Sequence, residues 1–348
     1  MDFNYLDHQF YGNPTIPANP KVSICVITYN HEKYIETCLT NILNQKVNFE
    51  YEIIIGEDHS TDQTAEIIKK YADLHPNLIK AYIRPKNVGA KINFLHCFFD
   101  CKGEYIVHIE ADDYFTDDQK LQNQVDFLDA NPQASACFHN AEIIYEDDTN
   151  RASETINPID QKKWTETKDF FEKKETWFMA TASVMMRKKY VSTLPEWFFQ
   201  CKSGDIPLYS ILAEAGPIGY IDKLMSVYRK NLNGLSYSDH TQSIEFIKNR
   251  IFMYSKINEY TQYKYDSQLK PILKAYHIMA MQCLEISPSF LAKISYLIKA
   301  YLLVPPSHKK EVFYDLKYHL MGEKNLYRYL KFREKLNMVL GLKKNGIN

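Results

Sequence analysis

Residues 21–60 read KVSICVITYNHEKYIETCLTNILNQKVNFEYEIIIGEDHS, and this stretch decides the fold. Val22–Thr28 and Tyr51–Gly56 are short apolar runs rich in β-branched residues, which is typical of strands buried on both faces. Between them, apolar side chains recur at helical spacing over residues 34–43. The stretch therefore predicts a buried strand, an amphipathic helix and a second buried strand.

The same alternation continues towards residue 110. Ser60 and Gln63 form a capping-box pattern that predicts a helix through Ala72. The next predicted elements are a strand at Leu78–Ile83, a helix at Ile92–Asp100 and a strand at Tyr105–Ile109. Strands that alternate with helices indicate a parallel sheet covered by helices, whose ligands bind beyond the carboxyl ends of the strands.

The rest of the chain is less regular. Residues 1–20 contain three prolines and predict an irregular arm. Residues 243–340 read as mostly helical, with Pro271, Pro288, Pro305 and Pro306 as breakers. Further predicted elements are a helix at Lys120–Ala130, extended chain at Ala134–Tyr145, a strand at Met179–Met186 and a helix at Ile206–Gly216. We therefore expect an arm (1–20), a catalytic domain (21–240, with halves 21–115 and 116–240) and a helical region (241–348).

Composition excludes several classes of protein. The chain has 348 residues, 45% of them hydrophobic and 24% charged, with a net charge of −1, so neither disorder nor nucleic-acid binding is expected. The balance is uneven, because residues 241–348 hold 18 Lys and Arg against 8 Asp and Glu. Seven scattered cysteines favour a reducing compartment, and neither a signal peptide nor a membrane-spanning run is present. We expect a cytoplasmic protein whose basic end either faces an anionic partner or is simply solvated.

Acidic residues follow the predicted strands. The strand ends carry Thr28-Tyr29-Asn30, Glu57-Asp58 and Glu110-Ala111-Asp112-Asp113. Such residues also form ordinary turns and caps, but three tips on one edge favour a site. Carboxylates that converge repel one another, and a hard divalent cation such as Mg²⁺ or Mn²⁺ would compensate. The first turn has no glycine, which argues against a dinucleotide-binding fold and a P-loop.

Four motifs in order resemble the family 2 glycosyltransferases of GT-A fold: VSICVITYNHEKYIETCLTNILNQ, EIIIGEDHSTDQT, RPKNVGAKINF and GEYIVHIEADDYFTDDQKLQNQVDFLDANP. The match covers about residues 21–240, and its first half is the more specific. The resemblance implies an α/β fold with a mostly parallel central sheet flanked by helices, followed here by a helical C-terminal extension. It also implies an inverting sugar transferase of the bacterial polysaccharide-biosynthesis type.

Site residues follow from the resemblance. Thr28, Tyr29 and Asn30 would line the base and ribose with Glu32 nearby, Asp58 would contact the base edge, and Lys91 would reach the base or the diphosphate. Asp112 would touch the ribose and share the metal with Asp113, and Glu110 would occupy the first position of the broader D-x-D element.

A carboxylate must take the proton of the attacking acceptor hydroxyl. Asp205, at a predicted helix N-terminus, is the candidate, and the alternative is a simple N-cap. Arg229 would neutralise charge on the leaving group. Asn231 stands where many relatives have histidine, and His240 is an outside candidate for the metal. Trp177, Trp197 and Phe198-Phe199 either stack on an acceptor sugar or belong to the core.

Phe290–Leu302 predicts an amphipathic helix whose apolar face carries Phe290, Leu291, Ile294, Leu297, Ile298, Tyr301 and Leu302. This helix either packs on another part of the protein or touches an anionic inner leaflet. We expect a hexosyl- or N-acetylhexosaminyl-transferase that uses a nucleotide-sugar donor, UDP by family habit, and a saccharide or lipid-linked saccharide acceptor. The alternatives are a nucleotidyltransferase and a non-catalytic nucleotide-sugar-binding protein of the same fold.

Overall fold

The first four strands predicted from the sequence, at residues 22–28, 51–56, 78–83 and 105–109, are present in that order, and the sheet also contains strands that the sequence did not predict, including residues 218–231. In the computed structural model, which describes residues 6–12, 17, 19–146, 151–172, 178–231, 243–282 and 290–303, contacts divide the chain into units of residues 1–239 and 240–348. The predicted boundary lies after residue 240. The strands are β1 Gln9–Tyr11, β2 Val22–Thr28, β3 Tyr51–Glu57, β4 Ile79–Ile83, β5 Tyr105–Glu110, β6 Tyr114–Phe115, β7 Ala136–Glu146, β8 Glu154–Thr155, β9 Trp164–Thr165, β10 Met185–Arg187 and β11 Ile218–Asn231.

The helices of the first unit cover this sheet. They are α1 Ile35–Leu43, α2 Thr64–Leu74, α3 Ala90–Asp100, α4 Lys120–Ala130, the short α5 Asp169–Glu172 and α6 Asp205–Ala215. In α1, the residues that recur at helical spacing, among them Ile35, Leu39 and Ile42, are buried against the same core as Val22, Ile24 and Val26 of β2. Burial of this apolar stripe is the main force that holds the helix on the sheet.

The described strands form one mixed sheet in the order β1-β4-β3-β2-β5-β10-β7-β11-β6, with β8 beside β7 and β9 beside β11. The central group β4-β3-β2-β5 is parallel, as predicted. Strand β10 pairs antiparallel with both β5 and β7, and β11 runs parallel to β7. The sheet therefore continues without a break from residues 21–115 into residues 116–231.

Three local expectations of the first unit are wrong. The arm contains β1, which pairs antiparallel with β4 and covers an edge that would otherwise expose unpaired backbone groups. The Met179–Met186 strand shrinks to β10, because Thr181–Ser183 forms a 3₁₀ turn. The Ser60–Gln63 capping box does not form: the N-cap of α2 is Gln63, which makes no side-chain cap bond, and the preceding Asp62 carboxylate accepts from the Thr64 amide at 2.9 Å.

The second unit consists, in its described part, of helices α7 Ile244–Tyr260, α8 Asp266–Gln282 and α9 Phe290–Leu302. Helix α8 packs against both α7 and α9. Pro271 lies inside α8, so the prediction that it breaks the chain is wrong; buried Leu269, Ile272 and Leu273 around it offset the lost backbone bond. Pro288, Pro305 and Pro306 lie outside the described residues. None of the described helices combines the length and apolar content needed to cross a bilayer.

Candidate active site

The carboxyl ends of the parallel strands meet at one edge of the sheet. Thr28 of β2 pairs with Glu57 of β3, and Ile27 pairs with Glu110 of β5. The loops that follow these strands therefore start side by side, as the sequence predicts. Asp58 follows Glu57, and Asp112 and Asp113 follow Glu110.

The loops after β2 and β3 are joined by reciprocal hydrogen bonds. The Asn30 amide donates to the Ser60 hydroxyl at 2.9 Å, and the Asn30 side-chain oxygen accepts from the Thr61 amide at 2.8 Å. Asn30 has φ 56°, which an asparagine adopts more readily than most residues. Glu32 repeats the exchange, because its carboxylate accepts from the Gln63 amide at 3.0 Å. These two predicted nucleotide-binding side chains thus hold the loops together.

The other two residues of this loop differ in exposure. Thr28 is buried at the end of β2, and its hydroxyl lies 3.3 Å from His31 Nδ1. Tyr29 is 43% exposed. Of the predicted set after β2, Tyr29 is therefore a large side chain that is open to a ligand, and its contact with the base and ribose stays a prediction.

Asp58 holds the loop before α3. Its two carboxylate oxygens accept from the amides of Val88 and Gly89 at 2.7 and 2.9 Å. Gly89 has φ 89°, a conformation that favours glycine. Burial raises the pKa of Asp58, although the two amide bonds oppose that shift. The side chain is buried and ordered, and its predicted contact with the base edge is not tested by this geometry.

Lys91 lies in the first turn of α3, two residues after Gly89, and its ammonium contacts a segment distant in sequence. It donates to the carbonyl oxygens of Phe198 at 2.9 Å and of Cys201. The ring of Phe198 lies 5.4 Å from the ammonium. The structure thus brings Lys91 to the segment that precedes Asp205.

Asp112 and Asp113 are both buried, and each keeps one unpaired oxygen. Asp113 Oδ1 accepts from the Arg229 amide at 2.8 Å, and Asp112 Oδ2 accepts from the Asn231 side chain at 3.1 Å. Asp112 Oδ1 and Asp113 Oδ2 accept no hydrogen bond from a described residue. Buried carboxylate oxygens without donors are costly, and they fit a hard divalent cation.

Arg229 is fixed from several sides. Its Nε donates to the Asp112 carbonyl at 2.7 Å, and its Nη1 donates to the Glu146 carboxylate. The guanidinium also lies between the rings of Tyr34 and Tyr114, at 5.0 and 4.9 Å. It therefore supports the Asp112–Asp113 pair.

Sequence reasoning missed Tyr34 and Glu146. The Tyr34 hydroxyl donates to Glu146 at 2.7 Å, and burial together with this carboxylate raises the pKa of Tyr34 to about 12. Tyr34 lies within the first motif, but the sequence gives no signal for its contact with Glu146, because the two residues lie 112 positions apart.

Glu110 and Asp205 add two carboxyl groups to the same site. Burial, together with Asp112 and Asp205, raises the pKa of Glu110 to about 8. Burial and the neighbouring Asp112 and Glu110 also raise the pKa of Asp113 well above its usual range. Asp205 opens α6 in its first turn, as predicted. The four carboxyl groups are thus electrostatically coupled, and a cation bound among them would relieve their repulsion.

The metal prediction has limited support in the geometry. No group of three or more His, Cys, Asp or Glu arranged for a metal occurs among the described residues. Asn231 donates to Asp112, and His240 and Trp177 lie outside the described residues. Among the described residues, the candidate metal donors are therefore the unpaired oxygens of Asp112 and Asp113.

Comparisons with known proteins agree with the fold. Residues 23–194 match the family model described as glycosyl transferase family 2. An uncharacterised protein of Mycobacterium tuberculosis strain H37Rv is 31% identical over 236 residues, which make up 66% of this chain and 64% of that protein. The chain therefore spans slightly less than two thirds of the length of this relative.

Two characterised proteins are also similar. Escherichia coli chondroitin synthase is 27% identical over 237 residues, which are 67% of this chain and 32% of the synthase. The crystal structure of Staphylococcus aureus TarS 1–349 in complex with UDP-GlcNAc has a TM-score of 0.61 at 18% identity, covering 91% of this chain and 92% of that one. At that identity the likeness shows the fold alone. The sequence resemblance is confirmed: this chain has the GT-A fold and belongs to glycosyl transferase family 2.

Proposed function

We propose that this chain is an inverting glycosyltransferase that moves a sugar from a UDP-sugar to a saccharide or lipid-linked saccharide, in bacterial surface polysaccharide synthesis. The observation that carries the proposal is the pair of unpaired carboxylate oxygens on Asp112 and Asp113 at the carboxyl edge of the parallel sheet. A nucleotide diphosphate brings negative charge to this edge, so a cation between the two would satisfy both partners.

The donor assignment rests on the similar proteins. TarS was crystallised with UDP-GlcNAc, and chondroitin synthase is named for a polysaccharide product. In this chain, Tyr29 offers an exposed ring for the base, beside the loops held by Asn30, Glu32 and Asp58. Thr28 is the last residue of β2 and lies at the same edge of the sheet.

Mn²⁺ or Mg²⁺ would be held by Asp113 and Asp112. A bound cation would offset negative charge on the departing diphosphate. Arg229 holds the two aspartates in place through its amide, its guanidinium and Glu146. Its guanidinium is already occupied by these contacts, so we assign it to support of the site rather than to direct contact with the diphosphate.

Asp205 acts as the general base. The acceptor oxygen attacks the anomeric carbon while the bond from that carbon to the diphosphate oxygen breaks, and the electron pair leaves with the diphosphate. The acceptor proton passes to the Asp205 carboxylate. Asp205 lies in the first turn of α6, where the helix dipole favours a negative charge.

The basic end of the chain would bring the enzyme to an anionic membrane surface. On α9, Ile298 is 50% exposed and Leu302 is 69% exposed, while Ala300 is buried. Part of the predicted apolar face is thus open within the described second unit. With the charge excess of residues 241–348, this face suits an interfacial contact near a lipid-linked acceptor.

Calorimetric titration tests the proposal. UDP, GDP, dTDP and CDP are titrated with and without Mn²⁺ into the wild type, into Asp113→Ala and into Asp118→Ala, an exposed carboxylate outside the site. We expect UDP binding that depends on the metal, is lost in Asp113→Ala and is kept in Asp118→Ala. No binding of any nucleotide by the folded wild type would contradict the proposal.

A second arm separates catalysis from binding. Asp205→Asn should keep UDP binding and lose transfer of labelled sugar to acceptor extracts. Binding without sugar transfer in the wild type would favour the non-catalytic alternative, and release of pyrophosphate from a nucleoside triphosphate would favour a nucleotidyltransferase.

A further inference from the structure

The strongest unexplained contact in the first unit is made by Lys91. This half-buried ammonium, on the first turn of α3, donates to two backbone carbonyls that lie 107 and 110 residues further along the chain. Burial lowers the pKa of Lys91. A lysine at this cost is expected to be retained for the hydrogen bonds that it makes.

The carbonyls belong to a short turn. Glu196–Gln200 forms a 3₁₀ helix, whose Phe198 amide donates to the Pro195 carbonyl at 2.9 Å and whose Phe198 carbonyl accepts from the Cys201 amide at 3.1 Å. Both Phe198 and Cys201 are buried. The turn is thus held by its own hydrogen bonds, and Lys91 links it to the start of α3.

The tied turn leads directly to the candidate base. Asp205 follows Cys201 by four residues. A β-carbon added at Gly204 would lie 4.0 Å from the tip of the Phe198 ring, so this ring packs close to the residue before Asp205. The Gly204 carbonyl accepts the first backbone bond of α6, from Leu208 at 3.0 Å. The Phe198 ring therefore lies beside the start of α6.

The backbone of Lys91 lies close to a predicted nucleotide-binding residue, Asp58. The Asp58 carboxylate accepts from the Val88 and Gly89 amides immediately before α3 begins. The contacts thus run from Asp58 through the start of α3 and Lys91 to the turn before Asp205. Each step is a hydrogen bond or a packed ring.

We infer that Lys91 is a positioning residue: it anchors the 196–201 turn and thereby holds the Asp205 carboxylate in line with the donor site. This inference rests on the proposed function, because it concerns the base of that reaction. It also replaces the expectation that Lys91 contacts the base or the diphosphate, since the ammonium is engaged elsewhere.

The test uses the full chain with Lys91→Met, Lys91→Arg and the control Lys86→Met. Lys86 is an exposed lysine of the loop before α3. UDP affinity in the presence of Mn²⁺, kcat for sugar transfer from UDP-GlcNAc or the donor found active, and amide hydrogen exchange are measured for each. For Lys91→Met we expect a kcat at least tenfold lower, a UDP Kd within twofold of the wild type, and faster exchange confined to residues 196–208. Lys91→Arg should recover part of kcat, and Lys86→Met should match the wild type.

The outcomes separate this inference from the proposed function. A tenfold loss of UDP affinity with unchanged exchange at residues 196–208 would overturn the positioning role and restore a nucleotide contact. Unchanged exchange and unchanged kcat would overturn it as well. If the wild type itself shows neither UDP binding nor transfer, the proposed function fails, while the exchange measurement still decides whether Lys91 anchors the turn.

Discussion

Arg229 contacts three acidic residues and two aromatic rings, and it shows how one residue can organise a site. Its amide and Nε contact Asp113 and Asp112, while Nη1 reaches Glu146. Guanidinium has a planar set of donors, whereas an ammonium is a single point of charge. The geometry therefore depends on arginine in particular, and a positive charge alone does not reproduce it.

We expect Arg229→Lys to weaken Mn²⁺-dependent UDP binding about tenfold or more, which corresponds to roughly 1.4 kcal/mol. Lysine cannot keep both the Asp112 carbonyl and the Glu146 carboxylate as partners. Calorimetry measures the loss. Arg151→Lys is the matched control, because Arg151 is exposed, pairs with Glu154 and lies over the Tyr145 ring.

Metal-free titrations distinguish the two roles of Arg229. A supporting role predicts a loss only when Mn²⁺ is present. A loss of equal size without the metal would instead indicate direct contact with the diphosphate, and wild-type affinity in both titrations would contradict the supporting role.

Lys120 is the second residue whose substitution should have a measurable effect, here on the free energy of unfolding. It is fully buried, its ammonium has no hydrogen-bond partner among the described residues, and it lies 4.0 Å from the centre of the Phe115 ring. Burial lowers the pKa of Lys120 to about 7, with Cys137 opposing the shift and His139 nearby. The unfolded chain holds this proton up to about pH 10.4.

The sign of the pH effect follows. Between about pH 7 and 10 the unfolded chain binds more protons at Lys120 than the folded chain, so this residue's contribution to the free energy of unfolding increases with pH. We expect Lys120→Met to raise the free energy of unfolding at pH 6 by about 1–3 kcal/mol, and the gain to shrink towards pH 10. Urea denaturation of both proteins at several pH values measures the difference; a gain that is constant with pH would contradict a buried ammonium.

At the scale of elements, the loops after β2 and β3 act as one unit. Asp62 accepts from the Thr64 amide at 2.9 Å and from the Glu32 amide at 3.1 Å, so it joins the start of α2 to the neighbouring loop. Hydrogen bonds from Thr64 and from the Glu32 amide lower the pKa of Asp62 although burial opposes them. The predicted nucleotide-binding loop is therefore stabilised by Asp62, which lies just before α2.

We expect Asp62→Ala to lower the free energy of unfolding by about 1–2 kcal/mol, because the Thr64 and Glu32 amides both lose their acceptor. It should also weaken UDP binding, because the Asn30 and Glu32 loop loses a support. Asp73→Ala, at an exposed position near the end of the same helix, should leave both quantities within error. If urea denaturation gave Asp62→Ala and Asp73→Ala the same free energy of unfolding, Asp62 would not stabilise the start of α2.

The sequence predicted the parallel strands well because β2, β3 and β5 are apolar on both faces, a local property. It also placed Asp58, Asp112 and Asp113 on one edge, since parallel strands of similar length end together. It could not place Arg229 beside Asp113, or Lys91 beside Phe198, because these contacts join residues more than 100 positions apart. The β1 strand was missed for a similar reason: Gln9–Tyr11 is stabilised by the free edge of β4, and its own sequence pattern is weak.

At the scale of the whole molecule, charge is distributed unevenly. The chain is nearly neutral, but residues 241–348 carry a net charge of +10. Each basic residue near an anionic lipid surface contributes about 1 kcal/mol, and added salt screens this attraction. Apolar contact by exposed side chains of α9 adds a contribution that salt does not screen.

We therefore expect the full chain to sediment with vesicles that contain anionic lipid, more weakly at 0.5 M than at about 0.1 M salt. The double variant Ile298→Ser, Leu302→Ser should bind severalfold more weakly, whereas Leu74→Ser, an exposed leucine on α2, should bind like the wild type. Salt and the double variant act on different contributions, so their effects should combine. Equal binding to neutral and anionic vesicles, or none to either, would exclude an anionic membrane as the partner of the basic region and favour its simple solvation.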